Sequence, residues 1–204
     1  QNIVSRKGSS KVLTFSAPHV FKALQLLSNQ KFVSRANFSK ELKLGEGAVK
    51  TLIAHLREFG MIDSMKSGTF LTNKGRRFIE KFNEVISAEC PIPKSAILES
   101  NNNHAIILRN FADAINSGVE QRDYSIMYGA KSAITLIYKN NDFIFPVTES
   151  PALVKDQKTR DVLIKNLQPR QNDIIIITSS DDSFVSEISA KNAALWTIAS
   201  HDKH

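Results

Sequence analysis

Apolar residues recur every three or four positions in four separate segments between residues 18 and 88, which predicts four amphipathic helices. Between the third and fourth segments the pattern changes. There, Met61–Met65 and Thr69–Leu71 place alternate side chains on opposite faces, as strands do, and Lys66–Gly68 supplies a turn. The first half of the chain is therefore expected to run helix, helix, helix, strand, strand, helix.

The third of these helices separates clearly into a buried and an exposed side. Its apolar residues form one stripe at spacings of i, i+3, i+4, i+7 and i+10. Gly60 follows in a position typical of helix ends, while Ser34 and Thr72 are residue types that begin helices, here the second and the fourth. The predicted buried stripe consists of Val49, Leu52, Ile53, Leu56 and Phe59.

This order of elements is that of winged helix-turn-helix domains, in which the third helix enters the DNA major groove beside the hairpin, the wing. The polar side of the third helix supplies candidate base contacts, and the start of the second helix and the wing supply candidate phosphate contacts. An ordinary solvated helix face is the alternative, and Glu46 on the same side is unfavourable near phosphates. The candidate DNA-binding residues are Ser34, Arg35, Gly47, Lys50, Thr51, His55, Lys66 and Ser67.

The charge distribution favours a polyanionic partner for the first half of the chain. Residues 1–90 contain 15 Lys and Arg against 7 Asp and Glu, whereas residues 91–204 contain 12 against 13. The net charge of +7 therefore comes from the half with the candidate motif. Such an excess attracts polyanions with an affinity that depends on salt, although charge alone does not identify the polyanion.

The second half predicts strands and helices in the order ββα-ββα-βα, which is typical of a two-layer α/β domain. Its continuous β-branched run, Ile174–Ile177, is expected to be a buried central strand. Gly118 could split the first long helical segment in two. The other predicted elements are strands at Ser95–Leu98 and Ala105–Leu108 around a turn at Asn101–Asn103, a helix at Phe111–Tyr128, a hairpin of Ala133–Tyr138 and Phe143–Val147, a helix from Pro151 to Leu167, and a last helix from Phe184.

Prolines mark a boundary near the middle of the chain. Pro91 and Pro93 each lack a backbone donor and bias the preceding residue towards extended backbone, so no helix crosses them. We therefore predict an α+β protein in four segments. These are a flexible basic leader at residues 1–17, with a short strand at Val12–Phe15 as an alternative, a winged-helix domain at 18–88, a linker at 89–93, and a two-layer α/β domain at 94–200.

Composition narrows the function classes. No segment approaches the roughly 18 consecutive apolar residues of a membrane span, and no signal peptide is evident, so a cytoplasmic protein without a membrane partner is expected. Cys90 is the only cysteine, which excludes an internal disulfide and a cysteine-based zinc site. The five histidines show no metal-ligand spacing, and the sequence contains no dinucleotide loop. We expect no cofactor and no metal.

Three segments carry a resemblance to a known family: Glu46–Ile53, His55–Ile62 and Gly68–Gly75. A glycine between hydrophobic residues at the helix exit and a Leu-Thr-x-x-Gly entry to the last helix resemble archaeal and bacterial winged-helix transcription regulators. The resemblance covers residues 18–88 and implies a DNA-binding fold without implying a DNA sequence. Winged helices also serve as RNA-binding or protein-interaction modules.

The second half resembles the C-terminal domain of an archaeal winged-helix family of uncharacterised role, through residues 118–123 and Gly129-Ala130 ahead of Thr135–Tyr138. The resemblance implies the same two-domain layout but no ligand. Arg122, Asp123 and Gly129 are the candidate ligand-binding residues, because two charges interrupt an apolar region and a glycine permits close approach. A buried Arg122–Asp123 pair with a structural role is the alternative.

These features favour a DNA-binding transcriptional regulator that is not an enzyme. The first domain would contact double-stranded DNA, and the second would sense a small-molecule effector or mediate dimerisation. A homodimer would place two recognition helices about 34 Å apart, one turn of DNA. The alternatives are an adaptor whose winged helix binds RNA or a protein, and an enzyme with a nucleotide or cofactor site in residues 94–200.

Overall fold

The computed structural model of the protein describes residues 14–201. The chain divides between Phe82 and Asn83 into two compact units, a mainly helical one and one built on a β-sheet, as the predicted α+β class requires. Most of the predicted leader at residues 1–17, and of the alternative strand at Val12–Phe15, lies outside the described residues.

The first unit contains the elements in the predicted order. Helices α1, α2 and α3 are followed by a two-stranded antiparallel hairpin and by α4, inside which the division between the units falls. Four of the five predicted stripe residues of α3 are buried, and Phe59 is half-buried. The bounds are α1 Ala17–Asn29, α2 Arg35–Leu42, α3 Glu46–Glu58, β1 Ile62–Met65, β2 Gly68–Leu71 and α4 Asn73–Val85.

Hydrogen bonds define both ends of α2. Ser34 caps the start of α2, since its hydroxyl accepts from the Asn37 backbone N–H at 3.1 Å. At the other end Lys43 has φ of 52°, and the Ser39 hydroxyl donates to the Leu44 carbonyl at 2.5 Å. The contacts at the C-terminal end fix the turn from which α3 starts.

The end of α3 is a Schellman motif. Gly60 has φ of 68°, its N–H donates to the Arg57 carbonyl at 2.8 Å, and the Met61 N–H donates to the Leu56 carbonyl at 2.9 Å. Glycine is favoured at residue 60 because other residues rarely adopt this left-handed backbone. The predicted helix end is confirmed.

The start of α4 is hydrogen-bonded to the residues that end α3. The Thr72 hydroxyl donates to the Gly60 carbonyl at 2.6 Å and accepts from the Gly75 N–H at 3.1 Å. The Lys74 ammonium donates to the Phe59 carbonyl at 2.8 Å. A side chain on Gly75 would place its Cβ only 2.0 Å from the Met61 carbonyl oxygen, so only glycine lets α4 pack this closely.

The hairpin gains a third extended segment ahead of α2. Val33 pairs with Thr69 of β2 through two backbone hydrogen bonds of 2.9 Å, in antiparallel orientation. Gly68 has φ of 129°, and a Cβ there would lie 3.0 Å from the Val33 carbonyl oxygen. The hairpin is therefore short but tied to the segment that leads into α2.

We expect Gly75→Ala to lower the free energy of unfolding of the first unit by about 1–3 kcal/mol, because the added methyl group forces α4 away from the Met61 carbonyl. Thermal and urea unfolding followed by circular dichroism would measure the loss. Gly47→Ala is the matched control, since a Cβ at Gly47 meets nothing within 4 Å and should leave stability equal or higher. Equal stability of Gly75→Ala and the parent would contradict this packing.

The second unit is a five-stranded antiparallel sheet in the order β3-β4-β7-β5-β6. The predicted central strand is confirmed, because β7 lies in the middle and all its residues are buried. The bounds are β3 Glu89–Ile92, β4 Asn102–Leu108, α5 Val119–Ile126, β5 Ser132–Lys139, β6 Asp142–Ile144, α6 Gln157–Leu167, β7 Ile174–Ser180 and α7 Ser183–His201, with a 3₁₀ turn at Ala112–Ala114.

Helices cover both faces of this sheet, so the predicted two-layer arrangement is wrong and the unit has three layers. On one face, Leu163 and Leu167 of α6 join a core cluster with Ile175 of β7. On the opposite face, the Thr178 hydroxyl of β7 donates to the Ser186 carbonyl of α7 at 2.6 Å. Residues 175 and 178 of one strand point to opposite faces because side chains alternate.

Several predicted elements shift along the sequence. The expected linker at 89–93 contains edge strand β3, whose Pro91 needs no ladder donor at a sheet edge, and the expected strand at Ser95–Leu98 is irregular. The expected turn at Asn101–Asn103 lies largely in β4, where Asn102 and Asn103 pair with β7.

Two helices also differ from the prediction. Helix α6 begins at Gln157 rather than at Pro151, because the buried Asp156 carboxylate caps it by accepting from the Thr159 N–H at 3.1 Å. Gly118, with φ of 81°, does split the segment before α5.

One face of the sheet carries a buried ionic cluster. Glu89 of β3 accepts from His104 of β4 at 3.0 Å and pairs with the fully buried Lys191 of α7. Burial alone would raise the pKa of the Glu89 carboxyl, but the His104 hydrogen bond and the Lys191 charge outweigh it and lower the pKa to about 2. Glu187 adds a second carboxylate 3.4 Å from the Lys191 ammonium.

This lowered pKa predicts acid sensitivity. A carboxyl whose folded pKa lies below its ordinary value stabilises the fold fully above that value, and the contribution disappears as the pH falls towards 2. Between pH 7 and pH 3 the parent should lose about 2 kcal/mol more of its free energy of unfolding than Glu89→Gln. Urea unfolding at both pH values would measure this difference. Glu99→Gln, at an exposed position, is the control, and parallel pH profiles for parent and Glu89→Gln would contradict the assignment.

Candidate nucleic-acid interface

A concave surface of the first unit lies between α2 and the N-terminus of α3. Arg35 and Lys40 lie on the α2 side, and Lys50 and Glu46 on the α3 side. All four are exposed, so three cations and one carboxylate face solvent around one groove. The remaining lining residues are Ala36, Ser39 and Gly47.

Two further residues of α3 have defined roles at this end. Gly47 is exposed, and a Cβ added to it would have no neighbouring atom within 4 Å, so the helix surface here is open to a partner. The Thr51 hydroxyl donates to the Gly47 carbonyl at 3.0 Å and keeps its lone pairs for an incoming donor.

His55 does not belong to this surface, and its prediction as a DNA contact is wrong. It is 7% exposed, and its ring lies edge-on to the buried Phe15 at a centroid distance of 5.8 Å. The buried side of α3 was predicted from its apolar residues alone, and His55 lies outside that stripe. A neighbour from outside the helix, Phe15, covers it, and periodicity within the helix does not reveal such a neighbour.

Three other candidates, Ser34, Lys66 and Ser67, are exposed. None of them is among the described residues that line the groove. Lys66 and Ser67 form the hairpin turn that follows β1. The hairpin is linked to α3 by an exposed ion pair between Arg57 and Asp63 at 3.3 Å. The hairpin turn thus presents one exposed cation and one exposed hydroxyl.

Sequence reasoning missed Lys40 and Ser39. Both lie on α2, one turn after Arg35 and Ala36, and both line the groove. The i, i+4 spacing from Arg35 to Ser39 and from Ala36 to Lys40 is a signal that could have placed them in one surface.

The predicted ligand site of the second unit is not assembled. Arg122 and Asp123 pair with each other at 3.1 Å on α5, with side chains 51% and 58% exposed, so the alternative of a buried pair is also wrong. Gly129, with φ of 92°, lets the backbone approach Val185 of α7, whose methyl carbon would lie 3.2 Å from a Cβ. That glycine serves internal packing.

Comparisons with known proteins match both halves of the chain. Residues 22–77 match the family described as PH0730-like, N-terminal domain. Residues 99–198 match the family described as a domain of unknown function, DUF4443. A solved structure, hypothetical protein PH0730 from Pyrococcus horikoshii OT3, is similar over 91% of this chain and 94% of its own, at 25% identity and a TM-score of 0.73.

The expected archaeal relationship is thus supported by an archaeal relative and by a C-terminal domain of unknown function. None of the curated proteins matches the chain. Among residues 14–201, no helix is long and apolar enough to cross a membrane, and no three His, Cys, Asp or Glu side chains are grouped to hold a metal ion.

The burial of His55 predicts that its substitution affects folding rather than DNA binding. His55→Ala should lower the free energy of unfolding by about 2 kcal/mol through the lost packing against Phe15. Lys50→Ala, at an exposed position of the same helix, should leave that free energy within about 0.5 kcal/mol. Urea denaturation of both variants would measure the difference, and the reverse order of the two effects would refute the assignment.

Proposed function

We propose that the first unit is a winged helix-turn-helix domain that binds double-stranded DNA, and that the protein is a transcriptional regulator. The observation that carries this proposal is the groove between α2 and α3, where Arg35, Lys40 and Lys50 present three cations from two helices. Helix α3 is then the recognition helix, and the hairpin of β1 and β2 is the wing.

The electrostatics of the groove support a phosphate-bearing partner. Arg35 lies in the first turn of α2, where backbone N–H groups and the helix dipole also favour an anion. Lys50 lies one turn into α3, within the part of a recognition helix that reaches base edges. The N-terminal 90 residues carry the excess positive charge of the chain, which would draw DNA to this unit.

The rigidity of α3 supports the same proposal. Its N-terminal side follows the turn fixed by Ser39, and its C-terminal side ends in the Gly60 motif bound by Thr72. A helix held at both ends presents its side chains in one orientation, which lowers the cost of ordering them on a ligand. Gly47 leaves room for DNA to approach its backbone.

The test is a titration of a fluorescent duplex with the full chain at several salt concentrations. The parent should bind at low salt, with an affinity that falls steeply as salt rises. Arg35→Ala combined with Lys50→Ala should weaken binding at every sequence tested and reduce the salt slope by about 2, because two phosphate or base contacts are lost.

Lys81→Ala is the matched control, since Lys81 is an exposed cation of α4 that does not line the groove. It should bind DNA as the parent does. Absence of binding at low salt, or equal weakening by Lys81→Ala and the double variant, would overturn the proposal. The second result would mean that net charge rather than the groove attracts DNA.

A second candidate is an adaptor role in which the first unit binds RNA or a protein. Two observations favour it. Glu46 places a carboxylate among the cations of the groove, and a separate groove beside the wing has an apolar lining that includes Phe32, Phe70 and the 53% exposed Met65. Preference for structured RNA over duplex DNA in a competition assay would support this candidate instead.

The second unit is proposed to join two copies of the protein, or to sense a small-molecule effector. Dimerisation has the stronger support, because Arg122 and Asp123, two of the residues predicted to hold a ligand, pair with each other on the exposed surface of α5. We propose that the protein is a regulator and not an enzyme.

A further inference from the structure

One face of α5 is both apolar and exposed. Val119 and Ile126 are each 46% exposed, and Met127 at the end of the helix is 69% exposed. Of the six large apolar side chains that are most exposed in residues 14–201, three belong to this segment. Apolar side chains concentrated in one place on a surface mark an interaction site more often than scattered ones do.

The centre of this face carries two opposite charges. Arg122 and Asp123 lie between Val119 and Ile126, at the spacing i, i+3, i+4, i+7 that places all four on one side of a helix. The pair between them is exposed, and such a pair contributes little to the stability of a single copy. The arrangement is apolar at both ends and of mixed charge in the middle.

The rest of α5 is held firmly, so this face is rigid. On the inner side, Gln121 donates to the Thr197 hydroxyl at 3.2 Å, and the Asn192 amide of α7 donates to the Tyr124 carbonyl at 2.7 Å. At its start, Gly118 lets the backbone approach Thr135 of β5, whose Cβ would lie 3.0 Å from an added Cβ. A surface already fixed in one shape loses little freedom on binding.

We propose that this face of α5, formed by Val119, Arg122, Asp123, Ile126 and Met127, is the surface through which two copies of the chain associate. In a two-fold arrangement the same patch meets itself, so each residue faces its counterpart or a neighbour of it. Arg122 of one copy then meets Asp123 of the other, and the apolar ends cover each other. Because the patch carries one positive and one negative side chain, it is complementary in charge to an identical patch. A second copy of the chain is therefore the partner that fits it.

The inference rests on the proposed function in one respect: a regulator that uses two recognition helices needs two copies of the chain. Its test measures mass and not DNA binding, so the two can fail separately. Sedimentation equilibrium of the full chain, from about 1 to 100 µM, should show a monomer–dimer equilibrium. Ile126→Asp should raise the dimer dissociation constant about tenfold or more, because it buries a charge against an apolar surface.

Charge reversal distinguishes this interface from others. Arg122→Asp should raise the dissociation constant about tenfold, since acids then face acids across the two-fold axis. Adding Asp123→Arg to the same chain should restore it to within about threefold of the parent, because the opposite charges meet again with their places exchanged. Circular dichroism should show all three variants folded, since the substituted side chains are about half exposed.

Val154→Asp is the control, as Val154 is a 74% exposed apolar residue outside α5, and it should leave the equilibrium unchanged. A parent that stays monomeric throughout the range overturns the proposal. So does a dimer unaffected by Ile126→Asp, or a reversed pair that fails to restore association. Capture of a different protein by this face, with no self-association, would also overturn it.

Discussion

The carbonyl oxygens at the end of α3 hold the first unit in its shape. Those of Phe59 and Gly60 accept from Lys74 and Thr72, and that of Met61 lies against Gly75, which has no side chain to push it away. Carbonyls at and just beyond a helix end lack partners within the helix, so the hydrogen bonds from Lys74 and Thr72 satisfy groups that would otherwise need water. They also fix the angle between α3 and α4, and hence the side of α3 that remains exposed.

The proposed DNA-binding surface depends on that constraint. With one side of α3 buried and its end fastened, Lys50 lies on the exposed side, and the Ser39 turn places α3 beside Arg35 and Lys40 of α2. In the second unit the sheet has the corresponding role. Helices pack on both of its faces, and α5 is fixed by glycines and by hydrogen bonds to α7, which leaves a defined outer face to meet a partner.

Much of the first unit follows from sequence because its signals are local. The 3.6-residue period, the Ser34 and Thr72 caps and the Gly60 exit each act within a few residues, and all are found where predicted. What sequence did not reveal depends on distant contacts. His55 is covered by Phe15, the strand at Glu89–Ile92 exists because it pairs with β4, and α6 starts late because Asp156 caps it. The third layer of the second unit likewise depends on which face α6 packs against, and no helical period specifies that choice.

Duplex DNA is proposed to occupy the groove between α2 and α3. Hydrogen–deuterium exchange of the full chain, with and without a duplex at low salt, tests this proposal most directly because it locates the contact without altering a residue. We expect slower exchange in Arg35–Leu42, in the first turns of α3 and at the wing, with the α6 segment unchanged. Slower exchange confined to the second unit, or none in α2 and α3 when DNA is bound, would contradict it.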